Sequence, residues 1–260
     1  MPHLQANGTR IYYEVHGKEA ATPLVFLHGL GSSGQDWELQ VPVFAEDFRV
    51  VLIDMRGHGK SDKPAGPYTV SGFAADTISV LDHLQISSAH VVGLSMGGMI
   101  AFQMAVDYPS RIQRMVIANS GPALIPRTLK EHIAVWMRFA IVRTMGMKKM
   151  GETLAPRLFT DADQERERQE FVSRWAENDR RAYLNAMRAI IGWSVEDRIS
   201  TISAPTLVIA SDQDYTPVSA KEAYIAKMST ARLQVIKNAH HAVAVERPDA
   251  FNAAVKAFLE

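Results

Sequence analysis

Short apolar runs of the kind that form buried parallel strands recur along the chain at 24–27, 50–53, 90–92, 115–118, 206–210 and 233–236. Stretches with apolar positions every three to four residues separate several of them, notably at 71–84 and 98–108, and predict helices. Strands alternating with helices predict a mostly parallel sheet with helices on both faces. Ahead of them, Asn7-Gly8 is a turn signal followed by the β-prone run Ile11-Tyr12-Tyr13-Glu14-Val15, which predicts a hairpin. The alternation stops after Ile117. From about Pro122 to Asp197 no strand pattern is visible, and mixed polar and apolar positions predict helices; the strand pattern resumes at Thr206. The chain therefore reads as an α/β core, residues 1–121 and 198–260, carrying an inserted helical cap at 122–197. The cap is rich in Met and aromatic residues, among them Trp136, Met147, Met150 and Trp175, which read mainly as packing between cap and core. Its basic stretch at 138–149 reads as a solvated outer face.

Composition narrows the functional classes. At 260 residues with 47% apolar content, the chain is one large domain, or a core plus an insertion. Lys+Arg and Asp+Glu both total 28, so charge gives no case for nucleic acid or an anionic membrane as partner. There is no cysteine, which excludes disulfides, thiolate metal sites and a cysteine nucleophile. The start, Met1-Pro2-His3-Leu4-Gln5-Ala6-Asn7-Gly8, has no basic region followed by an apolar core. No run of about 18 apolar residues occurs, so no integral membrane segment is expected. The expectation is a cytoplasmic monomer or small homo-oligomer that uses neither cofactor nor metal.

The chemistry centres on Gly93-Leu94-Ser95-Met96-Gly97, a Gly-x-Ser-x-Gly pentapeptide with an apolar run before it and a helical pattern after it. A serine on a sharp strand-to-helix turn is strained and lifted above the sheet edge, and small flanking residues let strand and helix fold back on each other. A serine hydroxyl needs a base, and the base needs an orienting acid. In a doubly wound sheet such groups gather just past the carboxyl ends of strands. His241 follows the 233–236 run and is the best base, with His240 as its competitor. Asp214 follows the 206–210 run and is the best acid, with Asp212 close by. The order Ser95, Asp214, His241 is that of a nucleophile-elbow hydrolase. Oxyanion donors are expected from the Met96 backbone N–H and from the loop His28-Gly29-Leu30-Gly31, where the Leu30 N–H is the candidate.

Together these segments resemble the α/β-hydrolase superfamily nearly end to end. His28-Gly29-Leu30-Gly31-Ser32-Ser33, with Trp37 after it, resembles its oxyanion loop. Asp54-Met55-Arg56-Gly57-His58-Gly59-Lys60-Ser61 resembles its D-x-R-G-x-G-x-S loop. Asn238-Ala239-His240-His241, with Glu246, Pro248 and Phe251 downstream, resembles its histidine loop, and the match favours His241 over His240 and Asp214 over Asp212. The resemblance implies a carboxylic-ester hydrolase acting on small or medium, partly apolar esters. Serine at 95 argues against the haloalkane dehalogenases, which carry aspartate there. Ala242 stands where carbon–carbon hydrolases of ring-cleavage products usually have tryptophan. The 3-oxoadipate enol-lactone hydrolases resemble the elbow closely but tend to lack the His28-Gly29 pair. A lactone hydrolase, a carbon–carbon hydrolase, a cofactor-free perhydrolase and a non-catalytic small-molecule sensor are the rival readings.

Overall fold

The computed structural model describes residues 2–260; Met1, at the head of the segment read as lacking a leader, lies outside them. The hairpin forms as β1 (His3–Ala6) and β2 (Thr9–His16). Asn7 and Gly8 close it at φ 46° and 73°, the left-handed pair that a tight hairpin turn demands. The apolar runs form β3 (Thr22–Leu27), β4 (Phe48–Asp54), β5 (Ala89–Leu94), β6 (Ile112–Ala118), β7 (Thr206–Ser211) and β8 (Ala231–Ile236). All lie in one sheet of order β1-β2-β4-β3-β5-β6-β7-β8; β2 runs antiparallel to β4, and β3 to β8 are mutually parallel.

Helices cover both faces. α1 (Val41–Phe44), α2 (Val70–His83) and α3 (Met96–Asp107) alternate with the early strands; α7 (Val218–Ile225), α8 (Val243–Glu246) and α9 (Pro248–Leu259) follow β7 and β8. Successive strand side chains point to opposite faces, and here both faces are apolar. Val25, Leu27, Val51, Ile53 and Val91 pack with Phe73 and Phe102 on one side. Leu24, Phe26, Val50, Leu52 and Val92 pack with Trp37, Phe44 and Phe251 on the other. Each such side chain, fully buried, contributes about 1.5–3 kcal/mol, which is why these strands read as unbroken apolar runs.

Between β6 and β7 stand α4 (Leu129–Leu158), α5 (Glu165–Ala176) and α6 (Arg180–Ile190). The chain leaves and re-enters the core side by side: Leu124 and Trp193 pair at 2.9 Å, and Val195 N donates to the Pro122 carbonyl at 2.8 Å. A Thr128–Glu131 capping box starts α4, and Gly146 at φ 83° breaks it. Met147, Met150, Leu154, Trp175 and Tyr183 form a separate apolar cluster, against which Leu30, Ala242 and Val245 of the core also pack. The three helices thus lie over the ends of the β3 and β8 loops. The basic stretch departs from expectation at one residue: Lys148 and Lys149 are exposed, whereas Arg138 is half-buried and bonded to Tyr183.

Candidate active site

β5 delivers Ser95 directly onto the first residue of α3, which starts two positions earlier than the helical pattern suggests. Ser95 holds φ 54° and ψ −114°, a conformation that costs a non-glycine residue about 1–3 kcal/mol. The surroundings enforce it. Ser95 N donates to the Ala118 carbonyl at 3.0 Å, and the Ser95 carbonyl accepts from Gly98 N at 2.9 Å and Ser120 Oγ at 2.6 Å. The flanking glycines are required sterically. A Cβ on Gly97 would overlap the Leu27 carbonyl, and one on Gly93 would overlap the backbone of Gly97 and Gly98. A sharp reversal between strand and helix is therefore written into the pentapeptide, and its consequence is a partly accessible serine above the sheet.

Two and three strands away, the loops after β7 and β8 bring an acid and a base together. His241 Nδ1 lies 2.6 Å from Asp214 Oδ1; the histidine side chain is 21% exposed and the carboxylate 1%. An ionised carboxylate only accepts, so the imidazole donates from Nδ1, which leaves Nε2 with the lone pair that a base needs. Asp214 Oδ2 faces Lys221 Nζ at 2.6 Å, and that ammonium, also 1% exposed, is further held by the Thr216 carbonyl at 2.7 Å and by Thr216 Oγ1. Burial works to raise Asp214, but the His241 and Lys221 contacts overcome it and hold the carboxyl well below the usual carboxylate range. Tyr215 stacks on the His241 ring at 4.5 Å and 28°. Among the described residues no hydrogen bond joins Ser95 Oγ to His241 Nε2; such contacts commonly tighten only when substrate binds.

Two further residues fasten the histidine loop to the elbow. Asn119, just past β6 at φ 44°, donates from Nδ2 to the carbonyls of His240 (3.0 Å) and His241 (3.1 Å) and to Ser211 Oγ (2.8 Å), and accepts from Ser211 N (2.8 Å). Ser120, its neighbour, holds the Ser95 carbonyl. The competitors take other work. Glu246 binds His240 at both the ring Nδ1 (2.7 Å) and the backbone N (2.6 Å), so His240 turns away from Asp214. Asp212 accepts from Ala239 N at 3.3 Å, a loop-bracing bond.

The His28 loop explains its own sequence. Met55 N donates to His28 Nε2 at 3.0 Å, so the neutral ring carries its proton on Nδ1, which donates to the Gly29 carbonyl at 2.8 Å. A trans peptide points its N–H opposite to its C=O, so the Leu30 N–H faces away from His28. Among the described residues neither the Leu30 nor the Met96 N–H donates a hydrogen bond. The loop also lies beside the elbow: a Cβ on Gly29 would sit 3.7 Å from the Ser95 Cβ. His58 packs 5.1 Å from His28, and burial first, then that neighbour, push it down to about 3, which keeps it neutral. Asp54 braces the next loop by accepting from Gly34 N (2.7 Å) and Lys60 N (2.8 Å). Among the described residues, no group of three or more His, Cys, Asp or Glu side chains is arranged to hold a metal ion, and no helix is long and apolar enough to cross a membrane.

Comparison with known proteins places the fold. A family model described as the alpha/beta hydrolase fold matches residues 22–140. The 3-oxoadipate enol-lactonase 2 of Acinetobacter baylyi is 31% identical over 99% of this chain and 96% of its own length. The crystal structure of the enol-lactonase from Burkholderia xenovorans LB400 superposes with a TM-score of 0.92 at 29% identity, covering 99% of both chains. An N-acyl homoserine lactone degrading enzyme is 33% identical with a TM-score of 0.83, over 99% of this chain and 100% of that one. Likeness that runs through core and insertion alike, at this identity, leads to one conclusion: the chain belongs to the α/β-hydrolase fold family.

Proposed function

We propose that the protein is a serine hydrolase of carboxylic esters that works through an acyl-enzyme. The observation that carries this reading is the Asp214–His241 pair, 2.6 Å apart with its carboxylate buried, in a chain that also holds Ser95 at positive φ on a strand-to-helix turn. Ser95 Oγ attacks the carbonyl carbon while His241 Nε2 takes its proton. Asp214 keeps the imidazole in the Nδ1–H tautomer and stabilises the imidazolium. The backbone N–H groups of Leu30 and Met96 receive the oxyanion. His241 then protonates the departing alcohol and activates the water that releases the acid. Residues 122–197 act as a cap over this site, with Leu30 and Ala242 at its underside.

A lactone is a cyclic ester and needs the same groups, and the whole-chain similarity to an enol-lactonase favours lactones within this class. The relatives compared thus outweigh the presence of the His28-Gly29 pair, which by itself pointed away from that group. The test is a panel of p-nitrophenyl esters of increasing acyl length run beside an enol lactone, with Ser95→Ala and phosphonate labelling as controls. Turnover in the wild type, its loss in Ser95→Ala and a single phosphonate adduct on Ser95 are expected. Undiminished turnover in Ser95→Ala refutes the mechanism.

A further inference from the structure

The first half of α4 is apolar on two opposite faces, and the cap uses only one of them. Val135, Phe139 and Val142, spaced by four and three residues, pack into the cluster that holds Met150, Trp175 and Tyr183. Leu129, Ile133, Trp136 and Met137, at i, i+4, i+7 and i+8, fall on the other side of the same helix and are between 47% and 76% exposed. Trp136, whose residue type suits packing, is itself 69% exposed. Single exposed apolar side chains are ordinary. A row of four on one helical face, with a tryptophan in it, marks a surface that meets something other than water.

Charge says what it meets. The chain as a whole balances 28 basic against 28 acidic residues, yet between residues 127 and 149 there are six Lys or Arg and a single acid, Glu131. The Glu131 carboxylate is taken by the backbone N–H groups of Arg127 (2.6 Å) and Thr128 (3.0 Å), at the start of the helix. Lys130 stands seven residues before Met137 and Arg143 seven after Trp136, so both lie beside the apolar row. Both are exposed, and among the described residues neither meets a carboxylate. A second copy of this chain would bring like charge to the row, because a two-fold interface sets the same patch against itself. An anionic lipid surface offers opposite charge to Lys130 and Arg143 and an apolar phase to the row, and tryptophan suits the boundary between the two.

We propose that the first half of α4 is a membrane-docking surface. Its outer face lies in the interface of an anionic bilayer, with Leu129, Ile133, Trp136 and Met137 entering at the level of the headgroups and Lys130 and Arg143 meeting the lipid phosphates. The helix lies along the bilayer and does not cross it; among the described residues no helix is long and apolar enough to do so. Docking is a property of α4 alone and holds whatever reaction takes place at Ser95.

The test floats the purified protein with vesicles of phosphatidylcholine and of phosphatidylcholine mixed with phosphatidylserine. Wild type is expected to bind the mixed vesicles roughly ten- to thirtyfold more tightly, the contribution of two cations near an anionic surface. Of the four tryptophans, Trp37 and Trp175 are buried and Trp193 is half-buried with its Nε1 on Gln103. A blue shift of emission on binding, and quenching by lipid brominated along its acyl chains, therefore read Trp136. Trp136→Gln and Ile133→Gln are each expected to weaken binding roughly tenfold or more. Lys130→Glu combined with Arg143→Glu removes the preference for the mixed vesicles. All of these variants keep the wild-type Tm, because the side chains they change face solvent. Absence of flotation with the mixed vesicles, equal binding to both compositions, or variants that bind as wild type does overturns the proposal. A dimer seen by ultracentrifugation and lost in Trp136→Gln, without flotation, assigns the row to a second copy and overturns it as well.

Discussion

Lys221→Met tests how the acid of the site is held. The substitution keeps most of the aliphatic length and removes the ammonium that lies 2.6 Å from Asp214 Oδ2. Both side chains are 1% exposed, so water cannot replace the lost partner. Removing one member of such a buried pair typically costs about 3–5 kcal/mol, because the other charge is left uncompensated. For a domain of this size each kcal/mol moves Tm by about 2–4 °C, so a fall of roughly 6–20 °C is expected. The pH dependence has a definite sign. Asp214 is held below its ordinary range in the folded state, so it contributes stability that is present above its unfolded value of about 3.9 and lost as pH falls through the folded value. Without Lys221 the folded value rises, and the deficit of the variant is full near neutrality and narrows in acid. Urea unfolding of wild type, Lys221→Met and Lys221→Gln at about pH 7 and about pH 4 reads this directly. A deficit below about 1 kcal/mol at about pH 7 would mean that the ammonium is not compensating Asp214.

Four other outcomes follow from the same geometry. His241→Ala should lose roughly a thousandfold or more in kcat, whereas His240→Ala, whose ring faces Glu246, should keep most activity; equal losses would reject the assignment of the base. Asp214→Asn should cripple turnover while Asp212→Asn costs mainly loop order, a contrast that steady-state kinetics with a thermal melt of each variant will resolve. Because Asp214 stays ionised far into acid, the acid limb of kcat/KM should fit the uptake of one proton, with unit slope on a logarithmic plot; a slope of two is incompatible with it. Gly97→Ala should be severely destabilised, since its methyl group overlaps the Leu27 carbonyl, and a well-folded variant with wild-type Tm would contradict the packing of the elbow.

The fold was legible because its core strands are buried on both faces. Val25 and Leu27 serve one apolar layer while Leu24 and Phe26 serve the other, so the strand leaves a continuous apolar run rather than an alternation. The start of α3 was legible only to within two residues. Gly97 and Gly98 weaken the helical pattern, yet both are helical because the tight reversal after Ser95 leaves no room for side chains there. Ser95, Asp214 and His241 could be singled out because each stands just past a strand end, where chain order alone brings groups together. Pattern alone could not separate His240 from His241; what separates them in the structure is Glu246, which takes one ring and leaves the other to Asp214.

The residues that escaped the sequence share a physical reason. Lys221 stands in an eight-residue helix, where a lone lysine normally marks the wet face. Its burial depends on Asp214, seven residues earlier in the loop that leads into the same helix, and neither helical nor strand periodicity marks that pairing. Arg138 is a clearer case: Trp136 and Met137 just before it are exposed, and only Tyr183 and Trp175, from two other helices, turn it inward. Asn119 left a faint signal, a polar residue directly after the apolar run of β6, and its side chain joins the ends of β6, β7 and β8 through bonds to Ser211, His240 and His241. Its amide both donates and accepts, and at φ 44° asparagine is among the few non-glycine residues that sit comfortably. The serine, acid and base are thus properties of single loops and visible one at a time. Asn119, which holds the base loop, joins different loops, and only the folded chain puts both members of that pairing in one place.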